Sequence, residues 1–149
     1  MNSALFLDLG GTLLRIQDNE IFVAPDGSVE ILPNVVHRLS TVEQDVVLVV
    51  TNQSGIEKGT LTTQQVRAFI EQLNRATNGV IDDYWACPFI TSPFRKPAAG
   101  MLTALADKYF VDLKRSVYVG DMEDDRRCAR AAGVEQFFWA SEFFGWTQT

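Results

Sequence analysis

The stretch Ala4-Leu5-Phe6-Leu7-Asp8-Leu9-Gly10-Gly11-Thr12-Leu13 joins a short apolar run to an acidic residue, two glycines and a hydroxyl group. An apolar run of this length without alternation predicts a β-strand buried on both faces, as in a parallel sheet. The polar residues after it would then lie at the carboxyl end of the strand. Ligands bind beyond this end in open parallel sheets, so the stretch predicts a functional site as well as a fold.

Other apolar runs of strand length follow along the chain. Two of them end in polar clusters: Val46–Val50 precedes Thr51-Asn52-Gln53-Ser54-Gly55, and Ser116–Val119 precedes Gly120-Asp121. Val134–Trp139 is predicted as a last strand, and a short strand is expected around residues 84–87. The clusters would meet at one edge of the sheet.

Helical periodicity fills the intervals between the strands. Pro33 is predicted at the first position of a helix with Val35, Val36, Leu39 and Val42 on one face. The Thr62/Gln65 pair has capping-box spacing, and Asn78-Gly79 ends the helix that it starts. Residues 101–109 and 124–132 predict two more helices, and Ile21–Ile31 predicts a β-hairpin centred on Pro25-Asp26-Gly27. The expected fold is α/β, a three-layer Rossmann-like parallel sheet with helices on both faces.

Composition narrows the class of protein further. The chain has 149 residues, 46% of them hydrophobic, and a formal net charge of −6. One domain over residues 1–149 is expected, since a chain of this length buries enough surface without a metal or disulfide staple. Cys87 and Cys128 are too few for a disulfide framework, which favours a reducing cytoplasm. We expect no signal peptide and no membrane span, and the acidic balance argues against nucleic-acid and membrane-surface partners.

The polar clusters combine groups that suit a phosphate and a hard cation. Asp8 and Asp121 offer carboxylates, Thr51 and Asn52 offer hydroxyl and amide donors, and Arg95-Lys96 offers two cations. Each cluster also has a purely structural interpretation: a tight turn at Gly10-Gly11, a capped strand end at Thr51, solvated surface at Arg95-Lys96, and helix-dipole compensation at Asp124-Asp125. The joint order and placement favour the functional interpretation.

Four motifs in this order resemble one enzyme superfamily. They are similar to the haloacid-dehalogenase-like (HAD) phosphatases of subfamily IIIA, in the branch of the histidinol-phosphate, heptose 1,7-bisphosphate and polynucleotide 3'-phosphatases. The similarity extends from Phe6 to about Val134. The residues that carry it are Asp8–Leu13, Thr51–Ile56, Arg95-Lys96-Pro97 with Gly100-Met101, and Val119-Gly120-Asp121 with Asp125.

The resemblance implies an Mg²⁺-dependent phosphohydrolase that acts on a small phosphorylated metabolite through an aspartyl-phosphate. Asp8 would be the nucleophile, and Mg²⁺ would be held by Asp8, the backbone carbonyl of Gly10 and Asp121, with Asp125 supporting the metal site. Phosphoryl transfer depends mainly on positioning and charge stabilisation, which suits these groups. Thr51 and Lys96 would be catalytic, and the phosphate and substrate would be bound by Asn52, Gln53, Ser54 and Arg95.

Gly10 departs from this pattern, because phosphatases of the superfamily carry a second aspartate there as general acid and base. Loss of such a group costs about 10²–10⁴-fold in rate. Three alternatives stay open: a weak or selective phosphatase, a phosphotransferase with slow hydrolysis of the phospho-enzyme, and a catalytically impaired phosphate-binding or protein-interaction relative. We favour the phosphatase, and we expect Gly10→Asp to raise turnover.

The remaining expectations concern zinc, access and assembly. Cys87 has no further Cys or His before Arg95, so no zinc is expected. Only a small hairpin flap is predicted over the site, because the intervals between motifs are too short for a cap domain. His37 is expected to be structural or on the surface. The aromatic tail over residues 137–146 is expected to fold back on the core, or alternatively to form a homodimer contact or one wall of the substrate entrance, in a chain that is a monomer or homodimer.

Overall fold

A five-stranded parallel sheet forms the centre of the computed structural model, which describes residues 1–146. A separate two-stranded antiparallel hairpin lies outside it. The strands of the central sheet are β1 (Ala4–Leu7), β4 (Val46–Asn52), β5 (Asp83–Cys87), β6 (Val117–Gly120) and β7 (Gln136–Trp139), and those of the hairpin are β2 (Ile16–Gln17) and β3 (Glu20–Ile21). The sheet order is β5-β4-β1-β6-β7 with every neighbour parallel, which confirms the predicted α/β fold.

Helices cover both faces of this sheet. They are α1 (Val35–Leu39), α2 (Gly55–Lys58), α3 (Thr63–Ala76), α4 (Gly100–Tyr109), α5 (Glu123–Ala132) and α6 (Ala140–Phe143). One apolar core packs α1, α3 and α6 against one face, and a second packs α4 and α5 against the other. The chain therefore has the three layers that the sequence predicts.

The hairpin lies earlier in the chain than predicted. Its turn is Asp18-Asn19, where both residues have positive φ, as a tight two-residue hairpin turn requires. The Pro25-Asp26-Gly27 turn does form, with Ala24 N–H bonded to Ser28 O, but only a single antiparallel bridge, Val23 to Val29, flanks it. The turn predicted at residues 25–27 is therefore confirmed, but its flanks form a single bridge and not the two strands that the sequence predicts.

Helix α1 is shorter than predicted and starts later. Asn34, with a φ of 65°, precedes the first helical residue, so Pro33 lies outside the helix. Val35 and Leu39 are buried, whereas Val36 is 42% exposed, because a helix of five residues presents only one turn to the core. The capping box of Thr62 and Gln65 is present as predicted.

The connections leave the carboxyl ends of the strands open. Within residues 1–146, only the β2–β3 hairpin and α1 lie between β1 and β4, and only α2 and α3 lie between β4 and β5. The predicted absence of a cap domain is thus confirmed for this part of the chain, while the single domain over residues 1–149 stays a prediction. None of the helices that the structure describes is both long and apolar enough to span a membrane.

Candidate active site

Asp8 occupies the centre of the sheet edge, directly after β1. Its backbone N–H donates to Val119 O on β6 at 3.1 Å, and its side chain is buried. The Thr12 hydroxyl lies 3.3 Å from both Asp8 Oδ2 and Asp121 Oδ1, so it joins the first and last motifs. Gly11 has a φ of 79°, and a Cβ there would lie 2.1 Å from Asp121 Oδ2, so a side chain at this position would displace Asp121.

Lys96 is buried between two carboxylates. Its Nζ donates to Asp8 Oδ1 and to Asp125 Oδ1, each at 2.7 Å, and to Val50 O at 3.0 Å. These acceptors use all three donors of the ammonium group. The Tyr118 hydroxyl donates to Asp125 Oδ1 at 2.7 Å. Lys96 is therefore held rigidly against Asp8.

Burial and the neighbouring charges shift the pKa values of this network in opposite directions. Burial raises the pKa of Asp8 to about 6, even though Lys96 lowers it. Burial acts to lower the pKa of Lys96, but the attraction of Asp8 and Asp125 is stronger and raises that pKa above its ordinary value. Burial, followed by the charge of Asp8, also raises the pKa of Asp125. Lys96 thus stays an ammonium ion at neutral pH and supplies a fixed positive charge beside Asp8.

The residues at the carboxyl end of β4 have different roles. Thr51 is buried, and its Oγ1 accepts a hydrogen bond from Gln53 Nε2 at 2.9 Å, so the hydroxyl proton is free to point at another acceptor. The Asn52 amide is bonded to the backbone of Lys96, with Oδ1 accepting from N at 2.9 Å and Nδ2 donating to O at 3.1 Å. Asn52 therefore positions Lys96. Contacts of Asn52, Gln53 and Ser54 with phosphate stay predictions.

Three carboxylates lie close enough to share a metal ion. One oxygen from each of Asp8, Asp121 and Asp125 falls within 4.8 Å of the others. Hard oxygen donors of this kind suit Mg²⁺, so the residues fit the cation that the resemblance implies. Asp125 Oδ2 also accepts from Met122 N–H at 3.1 Å, so Asp125 is occupied by protein donors on both oxygens. The carbonyl of Gly10 stays a predicted ligand.

Arg95 precedes Lys96 and is half-buried. Its Nη1 is shielded from solvent, and within residues 1–146 it has no hydrogen-bond partner. A buried donor without an acceptor is costly, especially on a charged group. An anionic oxygen of a substrate would satisfy this donor, and the role of Arg95 in binding substrate stays a prediction.

Gly10 lies against the β2–β3 hairpin. A Cβ built at this position would lie 2.9 Å from Ile16 Cγ2 and 3.0 Å from Ile21 Cδ1. Two apolar side chains thus occupy the space that the Cβ of any residue other than glycine would need at position 10. The expectation that Gly10→Asp raises turnover therefore acquires a condition: Ile16 or Ile21 must move first.

Two residues of the site were not assigned a role from the sequence. Thr12 was part of the first motif, and Tyr118 lay within an apolar strand and was interpreted as core. A tyrosine in a strand buried on both faces needs a partner for its hydroxyl, which was the available signal. His37 is exposed, which agrees with the surface location, one of the two that the sequence predicts for it.

The two cysteines and the aromatic tail complete the predicted features of the chain. Cys87 and Cys128 are both free and buried, and the absence of zinc stays a prediction. Phe144 is buried in the core, and the Trp146 indole N–H donates to Pro33 O at 2.7 Å. Residues 137–146 thus fold back on the core as favoured, although Phe138 is 40% exposed.

Comparison with known proteins identifies the family. The family model described as polynucleotide kinase 3 phosphatase matches residues 3–143. The chain belongs to this family. Relatives of the family include a D-glycero-β-D-manno-heptose-1,7-bisphosphate 7-phosphatase of Rhodopseudomonas palustris, which is 31% identical over 93% of this chain and 84% of its own length. The corresponding α-anomer phosphatase of Burkholderia mallei is 33% identical over 89% and 77%.

A solved structure of a family relative has the same architecture. The D,D-heptose 1,7-bisphosphate phosphatase of Bordetella bronchiseptica, crystallised with magnesium and phosphate, is 29% identical and superimposes with a TM-score of 0.78. The match covers 88% of this chain and 76% of that one. The resemblance to HAD phosphatases of the heptose bisphosphate branch is therefore confirmed, and the chain is a HAD-type phosphatase.

Proposed function

We propose that this phosphatase hydrolyses a small phosphorylated sugar in an Mg²⁺-dependent reaction through an aspartyl-phosphate on Asp8. The observation that carries the proposal is the buried array in which Lys96 joins Asp8 to Asp125, beside the carboxylate of Asp121. The sugar class is supported by the heptose bisphosphate phosphatases among the relatives.

The residues divide the chemistry into two steps. One carboxylate oxygen of Asp8 attacks phosphorus, a bond from phosphorus to Asp8 forms, and the bond to the sugar oxygen breaks. Lys96 and the Thr51 hydroxyl stabilise the charge on the phosphoryl oxygens. Asp8 and Asp121, supported by Asp125, would hold Mg²⁺, which when bound neutralises the charge of phosphate and carboxylate together. Water then attacks the same phosphorus and releases phosphate and Asp8.

The leaving group receives no proton from position 10. A sugar alkoxide must therefore take its proton from solvent, and water must attack the aspartyl-phosphate without a general base from that position. Both steps are slowed by about 10²–10⁴-fold relative to an enzyme with the acid. We therefore infer a low kcat/KM for sugar phosphates and a higher kcat/KM for acyl phosphates, whose leaving groups need no proton when the aspartyl-phosphate forms.

A second candidate function is phosphoryl transfer with slow hydrolysis of the phospho-enzyme. The contacts of Ile16 and Ile21 at Gly10 favour it, because apolar side chains at this position offer no base to activate water. The two candidates differ in the lifetime of phosphate on Asp8. Mass spectrometry after rapid quenching with acetyl phosphate would detect the phospho-enzyme as an added phosphoryl group that Asp8→Asn abolishes.

Phosphate release with Mg²⁺ tests the proposal. We expect the wild type to hydrolyse acetyl phosphate and, more slowly, heptose 1,7-bisphosphate, and Asp8→Asn to lose at least about 10³-fold in both. Asp107→Asn, an exposed position on α4, is the matched control and should retain wild-type rates. Absence of phosphate release together with absence of binding of Mg²⁺ and beryllium fluoride would support the phosphate-binding or interaction alternative.

Location and assembly belong to the same proposal. The two free cysteines support a reducing, cytoplasmic setting. The chain is proposed to be a monomer or a homodimer, and Phe138, which is 40% exposed, is the tail residue that would form the dimer contact. Sedimentation velocity at high micromolar concentration separates the two states.

A further inference from the structure

A cleft of about 490 Å³ lies beside Asp121, on the side of the site away from β4. Asp121 forms one wall, and the segment from the end of β7 to Trp146 forms the other. Asp121 connects the cleft to the nucleophile, because one of its carboxylate oxygens lies within 4.8 Å of one of Asp8. Its lining residues are Asp121, Trp139, Ala140, Ser141, Glu142 and Trp146.

Both indole rings in the cleft are held in place by the fold. The Trp146 ring stacks on Phe144 with centroids 5.6 Å apart, and its N–H is bonded to Pro33 O. The Trp139 ring meets the edge of Phe137 at 5.0 Å and 89°. Rings that are fixed before binding lose little conformational entropy when a ligand arrives, which favours affinity.

The lining has the chemistry of a polyol site. The indole groups of Trp139 and Trp146 are suited to the C–H groups of a sugar, and the Ser141 hydroxyl and the Glu142 carboxylate are suited to its hydroxyl groups. The lining residues that the structure describes include no Lys, Arg or His. Two carboxylates, Asp121 and Glu142, would repel a second phosphate, so in a bisphosphate the cleft suits the polyol chain next to the transferred phosphoryl group and not the far phosphate.

We propose that this cleft is the subsite for the sugar portion of the substrate, with Trp139, Trp146, Ser141 and Glu142 as its specificity-determining residues. The inference rests on the proposed function, because it assigns the leaving group of that same reaction to a defined surface. It gives the aromatic C-terminal segment a role in substrate selection. The phosphoryl group lies at Asp8 and Lys96, and the hydroxyl-bearing chain extends past Asp121 toward the tail.

Substrate comparison tests the assignment. We expect Glu142→Ala and Trp146→Leu each to lower the ratio of kcat/KM for heptose 1,7-bisphosphate to that for acetyl phosphate by about tenfold, mainly through KM. Acetyl phosphate carries no sugar and serves as the internal reference. Glu135→Ala, an exposed acidic position just before β7, is the matched control and should keep the wild-type ratio. Thermal unfolding reports whether Trp146→Leu is folded, and Glu142→Ala replaces an exposed side chain.

Binding provides a readout that does not need turnover. In Asp8→Asn, heptose 1,7-bisphosphate should change the tryptophan fluorescence, and adding Glu142→Ala should weaken that binding about tenfold. An unchanged ratio in both cleft variants, or unchanged binding with Glu142→Ala, would overturn the subsite. If the wild type hydrolyses neither substrate, the proposed function fails, whereas the fluorescence titration still decides for or against the cleft.

Discussion

The two sides of Asp8 differ sharply in chemistry. On one side, Lys96, Asp125 and Tyr118 form a buried network in which every donor of the ammonium group has an acceptor. Near Gly10, a Cβ built on the backbone would contact apolar atoms of Ile16 and Ile21. The part of the site that handles the charge of the phosphoryl group is complete, whereas the part that would protonate a leaving group is apolar. The groups that would bind the phosphoryl group and the position that would protonate the leaving group can therefore be changed independently by mutation.

Removal of the charged side should have the largest effect. In Lys96→Met, two buried carboxylates lose their shared partner, so we expect the free energy of unfolding to fall by about 3–5 kcal/mol. Phosphatase activity should fall by at least about 10³-fold, because the fixed positive charge at the phosphoryl site is gone. Urea denaturation and phosphate release measure the two effects. Lys58→Met, at the exposed end of α2, is the control, and a loss below 1 kcal/mol in Lys96→Met would contradict the network.

An acidic residue at position 10 should change activity and stability less than the loss of Lys96, and its effect should depend on the side chains of the β2–β3 hairpin. Gly10→Asp alone should cost about 1–3 kcal/mol of stability and raise turnover less than it does in the combined variant, because its Cβ meets Ile16 and Ile21. Combined with Ile16→Ala, the same change should raise kcat for a sugar phosphate about 10²-fold over Ile16→Ala alone. The gain with acetyl phosphate should be smaller. An equal gain from Gly10→Asp without the second change would show that the hairpin does not restrict position 10.

The pH dependence of stability should show the smallest effect. The folded pKa of Asp8, about 6, lies above its ordinary 3.8, so the folded state holds a proton that the unfolded state releases. The stability from this residue is therefore present below pH 4 and lost as the pH rises through 6. One pKa unit corresponds to about 1.4 kcal/mol, so the loss is at most about 3 kcal/mol.

Urea denaturation in EDTA between pH 4 and 7 measures this effect. The loss of stability with rising pH should be smaller in Asp8→Asn than in the wild type, because the variant has no proton to release at position 8. Parallel pH curves for the two proteins would contradict the assignment. Addition of Mg²⁺ at pH 7 should stabilise the wild type, since the ion binds the folded state.

The sheet and the location of the site could be predicted from the sequence. Apolar runs without alternation, each followed by a polar cluster, are typical of parallel strands, and the polar clusters of such strands meet at one sheet edge. The structure brings Asp8, Asp121 and Asp125 together there, as expected. Chain order and residue type were sufficient for this much, because both depend on local pattern.

Details that depend on contacts between distant segments could not be predicted. The pairing of the Asn52 amide with the Lys96 backbone joins residues 44 positions apart, and no local sequence pattern in either segment predicts it. The contacts at Gly10 depend on a hairpin whose turn, Asp18-Asn19, competed with the stronger Pro25-Asp26-Gly27 turn signal. The Trp146 bond to Pro33 spans most of the chain.

The two hydrogen bonds between the Asn52 amide and the Lys96 backbone also bear on how the family can diversify. They fix the lysine to β4 independently of the residues that lead to it. The loop from Pro88 to Phe94 has its own contacts with neighbouring helices, since Ile90 N–H donates to Glu57 at 2.7 Å and Pro93 O accepts from Gly100 N–H at 3.0 Å. An engineered exchange of this loop therefore needs to keep these two contacts as well as the Asn52 bonds that hold the lysine.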